Sequence, residues 1–193
     1  NRVVITGMGI LCPLGLNTAT TWEGLIAGKS GVDYITQFDA SGHETRIAAE
    51  VKGFEPTDYI GRKEARHMDR FVQLAVAASS QAVKQAGIQI NPGNQDNIGV
   101  IIGSGFGGLL TLSQQIRILR ERGPDRVSPF LVPMLLADMA SAQVSIVLGA
   151  KGPNLGTTSA CSSGSDAIGA AYELIRHGDT QVMLAGGSEA IIN

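Results

Sequence analysis

Short β-branched runs that close on glycine recur along the chain: RVVITGMGIL at 2–11, NIGVIIGSG at 97–105 and TQVMLAGGSEA at 180–190. A run that is apolar on both faces reads as a strand covered from both sides, as in a sheet held between helices. Glycine at a strand end lets the chain turn sharply or lets another backbone come close. Much of the chain's complement of 25 glycines falls at such ends. Helical patterns fill the intervals. Asn17 caps a short helix through Ile26, which carries Trp22, Leu25 and Ile26. The spacing of Phe71, Leu74, Ala75 and Ala78 predicts one long helix over 62–86, stopped by Gly87. Further helices are expected at 109–120 and, after the proline-punctuated GPDRVSPFLVP, at 134–148. Residues 32–60 are mixed and read as a surface excursion, and PNLGTTSA reads as extended. Strands alternating with helices imply an α/β layered fold.

Composition narrows the function classes. The chain has 193 residues, 44% hydrophobic and 17% charged, which is ordinary for a globular domain. A formal net charge of −2 gives no reason to expect nucleic-acid binding. Asp138 and Gln143 interrupt the most apolar region, so no membrane span is expected. The first residues already look like a strand rather than a signal peptide. Cys12 and Cys161 form neither a CxxC pair nor a disulfide framework, which favours the reducing cytoplasm. The chain stops at Ile192-Asn193 directly after a strand, so a fragment of a larger unit is expected.

In TTSACSSGSDAIGAAYELI (157–175), Ile168, Ala171, Tyr172 and Ile175 recur at helical spacing, and Gly178 ends the run. Cys161 therefore falls at or just before the first turn of a helix. A free thiol has a pKa of about 8.5, and only the thiolate attacks well. The positive end of a helix favours a thiolate, and its free N–H groups can hold an oxyanion. Ser159, Ala160, Ser162, Ser163 and Gly164 are small enough to admit a substrate carbonyl. Taken locally, a nucleophile and an inert buried thiol both remain open. Cys12 reads as structural.

Three other features carry competing readings. GSGFGG satisfies GxGxxG through Gly103, Gly105 and Gly108, between a strand and a helix, as a dinucleotide site would. No acidic ribose-binding residue ends a strand about 20 residues on, where the sequence is RERGPDRVS. The alternative is a phenylalanine, Phe106, in a tight turn. Arg62, Lys63, Arg66 and Arg70 form a basic cluster that reads either as a solvated face or as a docking site for an acidic partner. Gly186, Gly187 and Glu189 read as strand-end packing.

The order of VVITGMGILCPLG, WEGLIAGKSG, RKEARHMDRF, GSGFGG, SPFLVP, GPN, TTSACSSGSDAIGAA and GDTQVMLAGGSEA resembles the elongating β-ketoacyl-[acyl-carrier-protein] synthases of the thiolase-like superfamily, over nearly the whole chain. The resemblance implies an N-terminal half-domain with a mixed sheet between helices, truncated at its last strand. It implies fatty-acid elongation through an acyl thioester on Cys161, fed from the phosphopantetheine of acyl carrier protein, with no bound cofactor or metal. It implies carrier contacts at Lys63 and Arg66, an acyl pocket at Phe106, and a homodimer whose Leu131, Val132 and Leu135 approach the partner's pocket. The family's two histidines and lysine follow the cysteine at a distance; His43, His67 and His177 stand in other contexts. His177 is expected to meet the carbonyls at the end of its own helix. The resemblance thus implies a piece that holds the nucleophile but not the decarboxylating groups. A dinucleotide-binding oxidoreductase domain and a non-catalytic interaction fragment are the alternatives.

Overall fold

The computed structural model describes residues 1–192. Helix α1 (Thr18–Ile26) starts where Asn17 accepts the Thr20 N–H at 2.9 Å, as its capping residue type predicts. The excursion that follows holds a two-residue antiparallel ribbon, β1 (Asp33–Tyr34) and β2 (Ile47–Ala48). Buried Glu50 fastens this excursion by accepting from the Thr36 hydroxyl at 2.7 Å and from the Thr36 and Gln37 N–H groups. Those hydrogen bonds, the hydroxyl's foremost, hold the Glu50 carboxyl below the ordinary glutamate value.

The expected 62–86 helix is two helices, α2 (Arg62–Ala65) and α3 (Arg70–Ala86). The break is made by Asp69. Its buried carboxylate does not cap α3 but accepts from the N–H and hydroxyl of Thr111, at 2.9 and 2.6 Å. A side chain committed to a distant element this way sets the direction of α3 independently of α2. Phe71, Leu74 and Ala75 are buried as the spacing predicts, while Ala78 is half-buried.

After α3 come β3 (Ile98–Gly103), α4 (Leu109–Arg122), α5 (Leu131–Leu135), α6 (Met139–Leu148), β4 (Asn154–Thr157), α7 (Ser163–His177) and β5 (Val182–Gly187). The helix expected at 134–148 is thus also divided, into α5 and α6. The main sheet has the order β4-β3-β5 and is parallel; among the described strands only the β1–β2 ribbon pairs antiparallel. β3 lies at the centre with all six residues buried. Its side chains alternate between two layers. Ile98, Val100 and Ile102 pack with Phe71, Val72, Val76, Ala140 and Val144 of α3 and α6, while Ile101 packs with Ala167 and Ala171 of α7. The result is a helix–sheet–helix sandwich.

Two expectations change. Residues 2–11 join no strand among the described residues. They lie along α3, whose glutamines take the strand-like N–H groups: Met8 donates to Gln85 at 2.6 Å and Ile10 to Gln81 at 3.2 Å. Val4 and Ile5 remain exposed. A ladder needs a neighbouring strand edge, and the described chain offers none there. On α7 the buried face is Ser163, Ala167 and Ala171, whereas Ile168 and Tyr172 are exposed. Small side chains on the inner face let the helix lie close to β3, and the larger apolar ones are turned outward. No helix of the described residues is long and apolar enough to cross a membrane.

Candidate functional site

The ends of β3 and β5 and the start of α7 meet backbone against backbone. A Cβ on Gly103 would collide with the carbonyl of Ser163, and one on Gly164 would lie 3.1 Å from the Gly187 Cα. These glycines let the first turn of α7 sit directly on the strand ends. Cys161 immediately precedes that turn and is exposed and free of any disulfide. The thiol is thus at the surface of this chain rather than in its core.

The turn carrying Cys161 is held by hydroxyls. Ala160 has φ 54°, a left-handed conformation that costs an alanine about 1–3 kcal/mol unless its surroundings enforce it. Ser163 enforces it from two directions: its hydroxyl donates to the Ala160 carbonyl at 2.7 Å and accepts the Ser159 N–H at 2.9 Å. Ser162 donates to the Ser159 carbonyl at 2.8 Å, the Ser159 hydroxyl bonds Asp166, and Thr157 donates to the Ser163 carbonyl at 2.8 Å. The serines around the cysteine are thus structural parts of a bend that presents the thiol. Only their small size was legible in the sequence; alanine gives no local signal for positive φ.

The GSGFGG loop lies beside this bend. The Cβ position of Gly105 is 3.6 Å from the Ala160 carbonyl oxygen. Phe106 is exposed, and α5 closes the loop from the other side, with the Gly108 N–H donating to the Leu135 carbonyl at 2.9 Å. Leu131 and Leu135 are half-buried and Val132 is exposed. The structure therefore gathers Cys161, Phe106 and α5 at the same end of the sheet.

A dinucleotide would need the loop's N–H groups for its pyrophosphate. They are already used inside the protein. Glu189 accepts the N–H groups of Gly105 at 2.7 Å and Phe106 at 3.2 Å, and Ser104 Oγ accepts that of Gly107 at 3.0 Å. A carboxylate occupies the place the phosphates would take. Glu189, read from sequence as strand-end packing, is thus a residue whose reach the sequence did not disclose.

Lys63 and Arg66 are exposed at α2. Arg70 does not share their face. Its guanidinium lies 4.5 Å above the Phe54 ring, and burial draws its pKa down from the ordinary arginine value. His67 stacks on Phe130 with ring centroids 3.8 Å apart, and His43 meets Phe38 edge-on. His177 Nδ1 sits 3.7 Å from Glu173 rather than on the helix-end carbonyls, one of which, that of Ile175, accepts from the Asn1 side chain. Among the described residues no histidine hydrogen-bonds Cys161. Cys12 is half-buried in a turn, 3.5 Å from the Thr21 hydroxyl, in keeping with a structural role.

A profile of the family described as beta-ketoacyl synthase, N-terminal domain, matches residues 1–193. The chain belongs to the β-ketoacyl synthase family. It is 50% identical over 191 residues to 3-oxoacyl-[acyl-carrier-protein] synthase 2 of Staphylococcus aureus strain COL, covering 99% of this chain and 46% of that protein. To the protein of the same name from Synechocystis it is 49% identical, with the same coverage. Among solved structures, a β-ketoacyl synthase from Burkholderia phymatum matches with a TM-score of 0.85 and 35% identity, over 98% of this chain and 47% of that one. The ishigamide ketosynthase/chain length factor matches with a TM-score of 0.88 and 29% identity, over 97% and 47%. The α/β fold is thus that of the ketosynthases, and the chain spans about half the length of the relatives it matches.

Proposed function

We propose that the full-length protein is an elongating ketosynthase of fatty acid synthesis, and that Cys161 carries its acyl intermediate. The observation that bears this reading is the exposed Cys161 thiol on a hydroxyl-braced bend at the start of α7, within the matched family domain. In the reaction the Cys161 thiolate attacks the carbonyl of an acyl thioester on the phosphopantetheine of acyl carrier protein. The carrier's thiolate leaves, and an acyl-cysteine remains. Malonyl-[acyl-carrier-protein] then loses CO₂. Its enolate attacks the acyl-cysteine, and Cys161 departs as the thiolate. N–H groups at the start of α7, that of Cys161 first, would hold the oxyanion of the tetrahedral intermediate.

The remaining parts follow from the same reading. Exposed Lys63 and Arg66 dock the acidic carrier protein. Phe106, with Leu131, Val132 and Leu135, bounds the acyl chain, and the latter three serve the site of the second subunit of a homodimer. β4, an edge strand carrying exposed Leu155, supports such a pairing. The enzyme works in the cytoplasm and takes no cofactor beyond the carrier's phosphopantetheine.

The test is to incubate the full-length protein with an acyl-[acyl-carrier-protein] thioester and map the adduct by mass spectrometry. Acyl mass on the Cys161 peptide, absent in Cys161→Ala, is the expected result. Acylation of Cys12, or of neither cysteine, would overturn the assignment.

A further inference from the structure

Beyond β5 the chain makes an unusual reach. Ser188 is pinned at both ends of its side of the sheet: its N–H donates to the Gly103 carbonyl at 3.0 Å, and its hydroxyl donates to the Phe71 carbonyl at 2.6 Å. The next residue, Glu189, therefore leaves β5 in a set direction, across the end of β3. One carboxylate oxygen takes the N–H groups of Gly105 and Phe106, and the other accepts the Ser104 hydroxyl at 3.3 Å. Ser104 Oγ in turn accepts the Gly107 N–H at 3.0 Å. Successive N–H groups folded around one anion form a nest, and the anion here belongs to the protein. No ion pair to Glu189 occurs among the described residues, so the loop's own N–H and hydroxyl groups are what the carboxylate serves.

The geometry points to Glu189 as the positioning residue of the acyl pocket: by gripping the backbone on which Phe106 stands, it fixes where that ring lies relative to Cys161. This rests on the reading of Phe106 as a pocket wall. Phe106 is 62% exposed, so little packing in this chain holds its ring, and the backbone beneath it is held instead. Gly105, the other residue in the grip of Oε2, lies beside the cysteine bend: a Cβ added there would come 3.6 Å from the Ala160 carbonyl oxygen. A carboxylate is suited to the task because one oxygen can accept two N–H groups at once, which a hydroxyl or amide does less well. Glu189 bonds the loop rather than the thiol; it acts through Phe106.

A double-mutant cycle on the full-length enzyme tests the assignment, reading the ratio of kcat/KM for a long and a short saturated acyl-[acyl-carrier-protein]. Phe106→Ala should raise that ratio. Glu189→Ala should raise it too, by about threefold or more, because an untethered wall no longer excludes the longer chain. In the Phe106→Ala background the same change at Glu189 should move the ratio by less than about twofold, since coupled residues are not additive. Equal effects of Glu189→Ala in both backgrounds, or no effect in either, overturn the inference. If Phe106→Ala itself leaves the ratio unchanged, the pocket reading fails and takes this inference with it. Thermal melts accompany each variant. Should Glu189→Ala fail to fold, Ser104→Ala, which cuts the tie from Glu189 to Gly107, is read in the same cycle.

Discussion

At the scale of single residues, close backbone approach decides the site. Gly103 is the clearest case, because a Cβ there would meet the Ser163 carbonyl and lie 2.8 Å from the Gly164 nitrogen. Backbone cannot swing aside as a flexible side chain can. Gly103→Ala must therefore lift the first turn of α7 off the end of β3, at a cost of about 1–3 kcal/mol. In the full-length protein the melting temperature should fall by about 1–2 °C or more. The rate of Cys161 alkylation by iodoacetamide should change as well. An unchanged melt and an unchanged alkylation rate would mean that the junction is looser than its geometry indicates. The sequence marked Gly103 and Gly187 as strand-end glycines. It gave no sign that Ala160 adopts φ 54°, because that conformation is imposed by the Ser163 hydroxyl rather than preferred by alanine.

At the scale of elements, helix periodicity marked the buried face of α3 but not that of α7, and it was a poor guide to where helices break. Phe71, Leu74 and Ala75 face the core as their spacing predicts, yet the run is cut at 66–69 because Asp69 is bound to Thr111 of α4. Lys63 on short α2 and Arg66 at its C-terminal end are exposed, while Arg70, on α3, is folded against Phe54. Arg62, Lys63 and Arg66 of the basic cluster are thus exposed, and Arg70 is part of the packing. Reversing charge at Lys63 and Arg66 together should raise KM for acyl-[acyl-carrier-protein] about three- to tenfold, with kcat little altered. The wild-type dependence of KM on salt should flatten in the variant. A KM that stays constant across salt in both proteins would reduce α2 to a solvated face.

At the scale of the whole molecule, a well-packed sandwich coexists with many exposed large apolar side chains. β3 is buried throughout, but Val4, Ile5, Trp22, Ile26, Leu155 and Ile168 are each more than half exposed. Large apolar side chains exposed in this number promote association. The 193-residue chain purified alone should therefore be heavier than a monomer by light scattering. It should also fail to condense acyl and malonyl units, because enolate formation needs positioned donors and His43, His67 and His177 lie instead against Phe38, Phe130 and Glu173. Robust turnover would show that decarboxylating groups had been misassigned, and a well-behaved monomer would count against a dimer face in this part of the chain.

The sequence by itself determined the layered α/β class, the central strand at 98–103, the cap of α1 at Asn17, and the place of Cys161 at the head of a helix. All of these depend on local periodicity, on capping chemistry, or on glycine's freedom, which neighbouring residues suffice to express. Tertiary structure alone decided the rest. It left 2–11 outside any ladder, because strand pairing needs an edge that distant residues must supply. It divided the long helix at Asp69, because a buried carboxylate goes where its donors are. It turned Ile168 and Tyr172 outward, because alanines allow α7 to approach β3 more closely. It also gave Glu189 its role, since a hydrogen bond spanning from the end of β5 to the loop after β3 exists only once both strands are side by side.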